Sequence, residues 1–458
     1  MSSALLALVL ATLSRPSAAV PAPAPPSAQP PRHVGRWTVR PQFTPGCECG
    51  ALSSDEIGID PTRNFCCGAY PGCPDESITP IVPTDGLPNY TKGDGRRDHH
   101  HVADGPLVGN GNIGVVVGSG NRWNVSYPWL DLFISTNSFW ALTAANHTTG
   151  SPFRGRNALP GTMQIGVARL GLPTEFLGSS FSAEQDFDRA TITVNLTSAT
   201  GVTVSVRLFV SPLAPVIWSE IQSEGNSEPL DVTLNTTVRD WFYHRDGNFR
   251  YNASYKVATS ASCPGSDGAD AAVTRATEFA DARVPAATAN GGSAGVTGAI
   301  YHSVRSPAGV AAHCSMTGQT SASLSFSLAQ GVAGRVVTTT VVRVSRDPSC
   351  VARPTVGALD LCGLSTDAAA SAATISESLK EVTLAQATED HSAHWTTYWN
   401  ASAVSLPDAP STELFWYGAQ HALNSAIPHA GQEQTPPGLY GPWGTTDNPG
   451  TAIALQPG

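Results

Sequence analysis

The amino-acid sequence predicts a mainly β protein, a large sandwich that gives way to helices near residue 366. Three observations predict it. Between about 100 and 345, apolar residues alternate with polar ones over many short runs, the pattern of strands with one buried face. Turn punctuation such as Ser198-Ala199-Thr200-Gly201 separates these runs. Over residues 366–400, Gly and Pro become sparse, Ala, Glu and Leu take over, and Ile375, Leu379 and Val382 recur at helical spacing. The 458 residues are enough for two or three domains.

The chain opens with the apolar run ALLALVLATL over residues 4–13, followed by the small residues Ser17-Ala18-Ala19. The run is too short to span a bilayer, and it predicts a signal peptide over 1–19 and a secreted protein, although no Lys or Arg precedes it. Residues 20–32, VPAPAPPSAQPPR, read as an extended Pro-rich linker. A Cys-rich segment completes the stretch 20–98, with Cys47, Cys49, Cys66, Cys67 and Cys73. Cys263, Cys314, Cys350 and Cys362 are dispersed further on. In an oxidising compartment both sets form disulfides, and the odd total of nine leaves one thiol free or paired between chains. Zinc is the alternative for the first set, but it lacks the paired C-x₂-C pattern. Seven N-x-[ST] sequons, at Asn89, Asn124, Asn146, Asn195, Asn235, Asn252 and Asn400, add to the secretory reading and predict N-glycans.

Asp98-His99-His100-His101 with Asp104 has the residue types of a metal site. Consecutive strand residues point to opposite faces and cannot all converge on one ion, so these read as solvated residues leading into the first strand, with no metal expected. The net charge is −10, only 14% of residues are charged, and no basic run exceeds two residues, which argues against a nucleic-acid partner.

The stretch Gly105 to Trp140 organises the rest. Its core, Gly109-Asn110-Gly111-Asn112-Ile113-Gly114, satisfies G-x-G-x-x-G, yet a dinucleotide-binding turn needs a strand before it and a helix after it. Here Pro106 precedes, and Val115-Val116-Val117-Gly118 follows, a poor first helical turn and a good buried strand. No nucleotide cofactor is expected. Further on, Met163, Ile165 and Val167 alternate. Ile192, Val194 and Leu196 and then Val202, Val204, Val206 and Leu208 read as a hairpin, and Val216–Ile221, Leu230–Val238, Leu324–Leu328 and Val336–Val344 as further strands of a sandwich. Residues 262–298, rich in Ala, Gly and Thr, read as a long insertion or loosely ordered loop. Residues 366–400 read as a helix ending in His391-x-x-His394-Trp395-x-x-Tyr398-Trp399-Asn400, with His391, Trp395 and Tyr398 on one face. Packing of that stripe against the sandwich is the expectation; His391 and His394 as an i,i+3 metal pair lack a carboxylate partner. After Leu406–Pro410 a further helix begins, through Glu413, Leu414, Phe415, Trp416 and Tyr417 to Leu423.

Four ordered motifs give the chain a resemblance. Pro106-Leu107-Val108-Gly109-Asn110-Gly111-Asn112-Ile113-Gly114, followed by Trp140, is similar to the Pro-Leu-x-Gly-Asn-Gly-x-x-Gly signature that opens glycoside hydrolase family 95 and its six-hairpin relatives. His391, Trp395, Tyr398 and Trp399 resemble the His-x-x-Trp-Trp-x-x-Phe-Trp segment of those families' helical linker, with His394 in place of the first Trp and Tyr398 in place of Phe. The helix after Pro410 resembles the first helix of their (α/α)₆ barrel. Pro436-Pro437-Gly438-Leu439-Tyr440-Gly441-Pro442-Trp443 resembles their Pro-Pro-Gly-Leu-x-Gly-x-Trp segment, and agreement ends at Asn448-Pro449.

The resemblance covers about 100–449 and implies a β-supersandwich over 99–362, a helical linker over 363–405, and over 406–458 the start of a truncated barrel. It implies a secreted glycosidase acting on oligo- or polysaccharides, with no cofactor. A glycosidase works with two carboxyl groups across the scissile bond, and in the resembled families these lie beyond Gly458. No catalytic residue is therefore assigned, and inactivity of this chain alone is expected. Tyr440, Trp443 and Asp447 are candidates to line the sugar-facing mouth, since Trp stacks on sugar rings as readily as it packs. Asn110, Asn112 and Trp140 are further candidates, with structural roles as the competing reading. The alternative function is a secreted non-catalytic glycoprotein, a β-sandwich that binds carbohydrate or serves in an extracellular matrix. The sugar, the anomeric configuration and the oligomeric state are not written in the sequence.

Overall fold

A computed structural model describes residues 33–37, 105–118, 128–141, 161–238, 253–264, 269–281, 296–305, 311–316, 318–329, 335–346, 368–428 and 441–443. Among these residues the chain forms sixteen strands in two antiparallel sheets, then three helices. The mainly β class and the late turn to helix are as the sequence predicts.

The strands are β1 (Val34–Trp37), β2 (Leu107–Gly109), β3 (Ile113–Gly118), β4 (Trp129–Ala141), β5 (Gly161–Gly171), β6 (Ser180–Asp186), β7 (Thr191–Thr197) and β8 (Thr203–Val210). They continue with β9 (Val216–Glu224), β10 (Leu230–Thr237), β11 (Ala253–Ser262), β12 (Asp270–Asp281), β13 (Val296–Arg305), β14 (His313–Met316), β15 (Ser321–Leu328) and β16 (Arg335–Arg346). One sheet has nine strands in the order β1-β6-β7-β8-β9-β16-β13-β12-β11. The other has seven, in the order β14-β15-β10-β5-β4-β3-β2.

Alternation explains the core. Val204, Val206 and Leu208 of β8, Val232 and Leu234 of β10, and Leu324, Phe326 and Leu328 of β15 all point into one apolar cluster fed by both sheets. The nine-stranded sheet is buried on its other face as well. There Phe209, Val216, Trp218, Tyr301 and Val341 form a second cluster with Ala372 and Ala387 of the helices. That is why β9, VIWSEIQSE, is buried along nearly its whole length instead of at alternate residues.

Two expectations need correction. Within 262–298, residues 270–281 are not irregular: they form β12, paired with β11 on one side and β13 on the other. Its Ala271, Ala272 and Val273 are buried, and Ala272 lies beneath the first helix, where small side chains allow close approach. The helical stretch is also not continuous. Helix α1 (Ala368–Ser378) stops, and α2 (Leu384–Ala401) starts afresh from a capping box in which the Thr383 hydroxyl accepts from the Gln386 amide at 3.2 Å and the Thr383 amide donates to Gln386 Oε1 at 2.9 Å. Arg305 of β13 closes the end of α1, donating to the carbonyls of Leu379 and, at 2.9 Å, Ser376. Helix α3 (Pro410–Ala426) begins with Pro at its first turn, where a missing N–H costs nothing.

Cys263, just beyond β11, is bonded to Cys314 of β14. β11 and β14 are the edge strands of the two different sheets, so this disulfide staples the sandwich along one side. Closing a loop of sequence separation 51 contributes about 4 kcal/mol on chain-entropy grounds. The other seven cysteines lie outside the described residues. No helix among the described residues is long and apolar enough to cross a membrane.

Candidate functional site

The glycine-rich stretch is a β turn between β2 and β3, with strand rather than helix on both sides. It lacks the helix N-terminus on which a pyrophosphate would sit. Gly111 has φ +87°, a conformation glycine adopts freely. Its amide donates to the Ser425 carbonyl at 2.7 Å, near the end of α3. A methyl group on Gly111 would collide with the Ile427 carbonyl, and one on Gly114 with the Pro442 carbonyl. Gly109 has the Ser425 carbonyl 2.8 Å from where a Cβ would stand. The three glycines are therefore the seat of two later segments, the end of α3 and the turn at 441–443.

Both asparagines of the motif serve this turn. Asn110 is buried, its Nδ2 donates to the carbonyls of Ser211 and Ala214 at 2.8 and 3.1 Å, and its Oδ1 accepts from the amides of Asn112 and Ile113. Asn112 Oδ1 accepts from the hydroxyls of Thr136 and Ser138 at 2.7 and 2.9 Å. Asn137, which the sequence did not single out, donates to the carbonyls of Gly111 and Ala426 at 2.7 and 3.3 Å, joining turn to helix. Trp443 donates its indole N–H to the Val108 carbonyl at 2.9 Å, and its ring covers an apolar patch of Val116, Phe133 and Val167 on the seven-stranded sheet. Ser135 donates to the Pro442 carbonyl. Trp140 belongs to β4 by its backbone, and its side chain lies outside the described residues, as do Tyr440 and Asp447.

A second junction forms where the β6–β7 turn meets the helices. His391 Nε2 donates to the Arg189 carbonyl at 2.8 Å, and Trp399 donates its N–H to the Asp188 carbonyl at 3.0 Å. The aromatic stripe of α2 is packed as its spacing predicts. His391 and Trp395 are buried, His391 lies 4.5 Å from Phe209, and Trp395 stacks on His421 of α3 at 5.1 Å. Burial holds His391 down to about 4 and His421 down to about 3, so both rings are neutral. His391 spends Nε2 on a carbonyl, and His421 Nδ1 faces the Gln185 amide nitrogen at 3.2 Å. Among the described residues, no group of three or more His, Cys, Asp or Glu is arranged to hold a metal; residues 98–104 lie outside them.

His33, just before β1, anchors the start of α3. Its Nδ1 meets Asp188 Oδ1 at 2.9 Å, its Nε2 meets Glu413 Oε1 at 2.9 Å, and its ring stacks on Tyr417 with centroids 3.5 Å apart. Glu413 also accepts from the Leu406 amide. Burial works to lower the His33 pKa, but the bonds to Glu413 and Asp188 outweigh it and the net shift is upward. The same His33 bond holds Glu413 below its ordinary value. Sequence reasoning missed this network, whose members are 155 and 380 residues apart and share no local pattern.

Helix α3 thus has inverted amphipathicity. Glu413, Tyr417, His421, Asn424 and Ser425 face the sandwich, while Leu414, Leu423, Ile427 and Phe415, the last 78% exposed, face outward.

No family model and no curated sequence matches the chain. Solved structures do resemble it in fold at low similarity. A human-microbiome protein assigned as a kojibiose phosphorylase is 12% identical over 70% of this chain and 38% of its own, with a TM-score of 0.43. A bacterial glucoamylase complexed with acarbose is 10% identical over 73% and 42%, with a TM-score of 0.31. A family GH92 alpha-mannosidase from Bacteroides thetaiotaomicron is 9% identical over 73% and 40%, with a TM-score of 0.27. The chain spans about two fifths of the length of these proteins. Scores at this level establish neither ancestry nor activity.

Proposed function

We propose that this chain is the N-terminal part of a secreted glycoside hydrolase of the six-hairpin group, a sandwich that carries and orients the first helix of a catalytic (α/α)₆ barrel. The observation that carries the reading is the seating of α3 and the Trp443 turn on Gly109, Gly111 and Gly114. The residues that resemble the family signature are the ones that make room for the segment resembling its barrel. The inverted helix supports the same reading. Its polar face is spent on the sandwich, and its outward apolar face suits further helices packed around it.

In this reading the general acid and its partner come from later helices of the barrel. Asp188 and Glu413 converge within the described residues, but the point between them is filled by the His33 ring instead of a cleft for a sugar. The test is to express residues 20–458 beside a version extended through the reading frame that follows, and to assay aryl glycosides including α-L-fucoside and α-L-galactoside. Turnover only by the extended protein is the expected result. Turnover by the short chain, abolished by changing one of its own Asp or Glu residues, overturns it. Glycan binding with no turnover by either form favours the non-catalytic alternative.

A further inference from the structure

We propose that His33 is a proton-dependent latch, an imidazolium that ties Asp188 of the sandwich to Glu413 of α3 and releases the start of that helix when it loses its proton. The argument is geometric and holds whatever the protein acts on. Each ring nitrogen faces a carboxylate oxygen at 2.9 Å. A carboxylate only accepts, so both bonds exist together only when both nitrogens carry protons. A neutral imidazole has one N–H, and whichever nitrogen loses its proton then points a lone pair at a carboxylate.

The groups around the ring leave the charge no other partner. The β6–β7 turn contributes Asp188, which also accepts from the His33 amide at 2.8 Å. Helix α3 contributes Glu413 and Tyr417, whose phenol is bonded to the Val404 carbonyl at 3.2 Å. The 402–409 loop contributes the Leu406 amide and that carbonyl, and α2 contributes the uncharged Trp399. Arg189, the nearby cation of the turn, is directed at Asp186, 3.9 Å away. Deprotonation therefore leaves two carboxylates around an uncharged ring, and the contact that yields is Glu413 on His33, because Asp188 stays bonded to the His33 amide. The Leu406 amide shares Glu413 and loosens with it.

The experiment is hydrogen exchange on the full chain, read as protection factors for the amides of 404–415 at about pH 5.5 and about pH 8.5, either side of the histidine range. In the wild type, protection falls by about tenfold or more toward the higher pH, as expected when a charge-assisted bond to each carboxylate is lost. Glu413→Gln removes one carboxylate and offers an amide N–H to a neutral ring, so protection becomes independent of pH. Protection that is equal at the two pH values in the wild type overturns the latch. So does a loss that Glu413→Gln retains in full.

Discussion

The amide of Gly111 donates to the carbonyl of Ser425 at 2.7 Å, joining residues more than three hundred positions apart at the seam between sandwich and helix. Gly111→Ala meets two obstacles there, the φ of +87° and the Ile427 carbonyl in the space a methyl would need. Gly201 has φ +89° with nothing within 4 Å of the added carbon, so Gly201→Ala isolates the backbone strain, roughly 1–2 kcal/mol. Denaturant titration of both variants gives Gly111→Ala the larger loss, more than about 2 kcal/mol. Equal losses would mean that the seam contributes nothing.

The same turn is predicted to bind no nucleotide. Strands lie on both sides of it, and its glycines are covered by α3 and Pro442. Calorimetry with NAD or ATP gives no saturable heat. Saturable binding that Gly111→Ala abolishes would reverse the assignment.

What the sequence made legible follows from the range of each signal. Alternation in β7, β8, β10 and β15 is a local pattern, and the strands lie where it puts them. The valines after Gly114 announced a strand because β-branched residues suit a buried sheet. β12 was missed because its alanines gave no alternating pattern; Ala272 is matched to the helix lying on it, which no local window contains. At the site, the glycine motif was visible, but its reason was not, since Ser425, Ile427 and Pro442 come from the far end of the chain. Asp188 and His33 carry no motif at all; only the fold brings them together.

Glycan occupancy tests the secretory reading. Of the described sequons, Asn400 is exposed at the end of α2, whereas Asn195 and Asn235 are half-buried in strands and Asn235 accepts from the Ser321 hydroxyl at 2.5 Å. Mass spectrometry of protein from a secreting host finds Asn400 the most fully occupied of the three and a mature N-terminus near Val20. An intact Met1 with Asn195, Asn235 and Asn400 all unmodified would contradict export.

Trp399 tests the clasp on the β6–β7 turn. Its N–H reaches the Asp188 carbonyl at 3.0 Å while its ring lies 4.9 Å from Tyr417. Trp399→Phe keeps an aromatic face and removes the donor, costing about 1 kcal/mol. Trp395→Ala removes a fully packed ring and costs about 3–5 kcal/mol. A Trp399→Phe loss as large as the Trp395→Ala loss would show that the stripe is held by its hydrogen bond and not by packing.

The buried histidines predict how acid acts on the helical layer. His391 and His421 are ordinary histidines in the unfolded chain but are held down to about 4 and about 3 in the fold. Below the ordinary histidine range the unfolded state takes up protons that the folded state refuses, so stability falls as pH drops from about 6.5 toward 4. His33 works in the opposite sense. Its folded pKa is raised, so its contribution is complete below the unfolded value and is lost as pH rises through the folded one. Glu413, with its pKa lowered, adds a contribution that is lost at still lower pH. Each effect is therefore read by difference. Urea titrations across pH 4–7 should show a shallower acid loss for His421→Gln than for the wild type, because one of the proton-refusing histidines, His302, His391 and His421, is gone. The same titration carried on to about pH 9 should show a flatter alkaline side for His33→Gln. A His421→Gln protein with the wild-type acid slope would mean that its ring takes up a proton inside the fold. The buried pocket between Gln185 and Trp395 would then have to accommodate a charge.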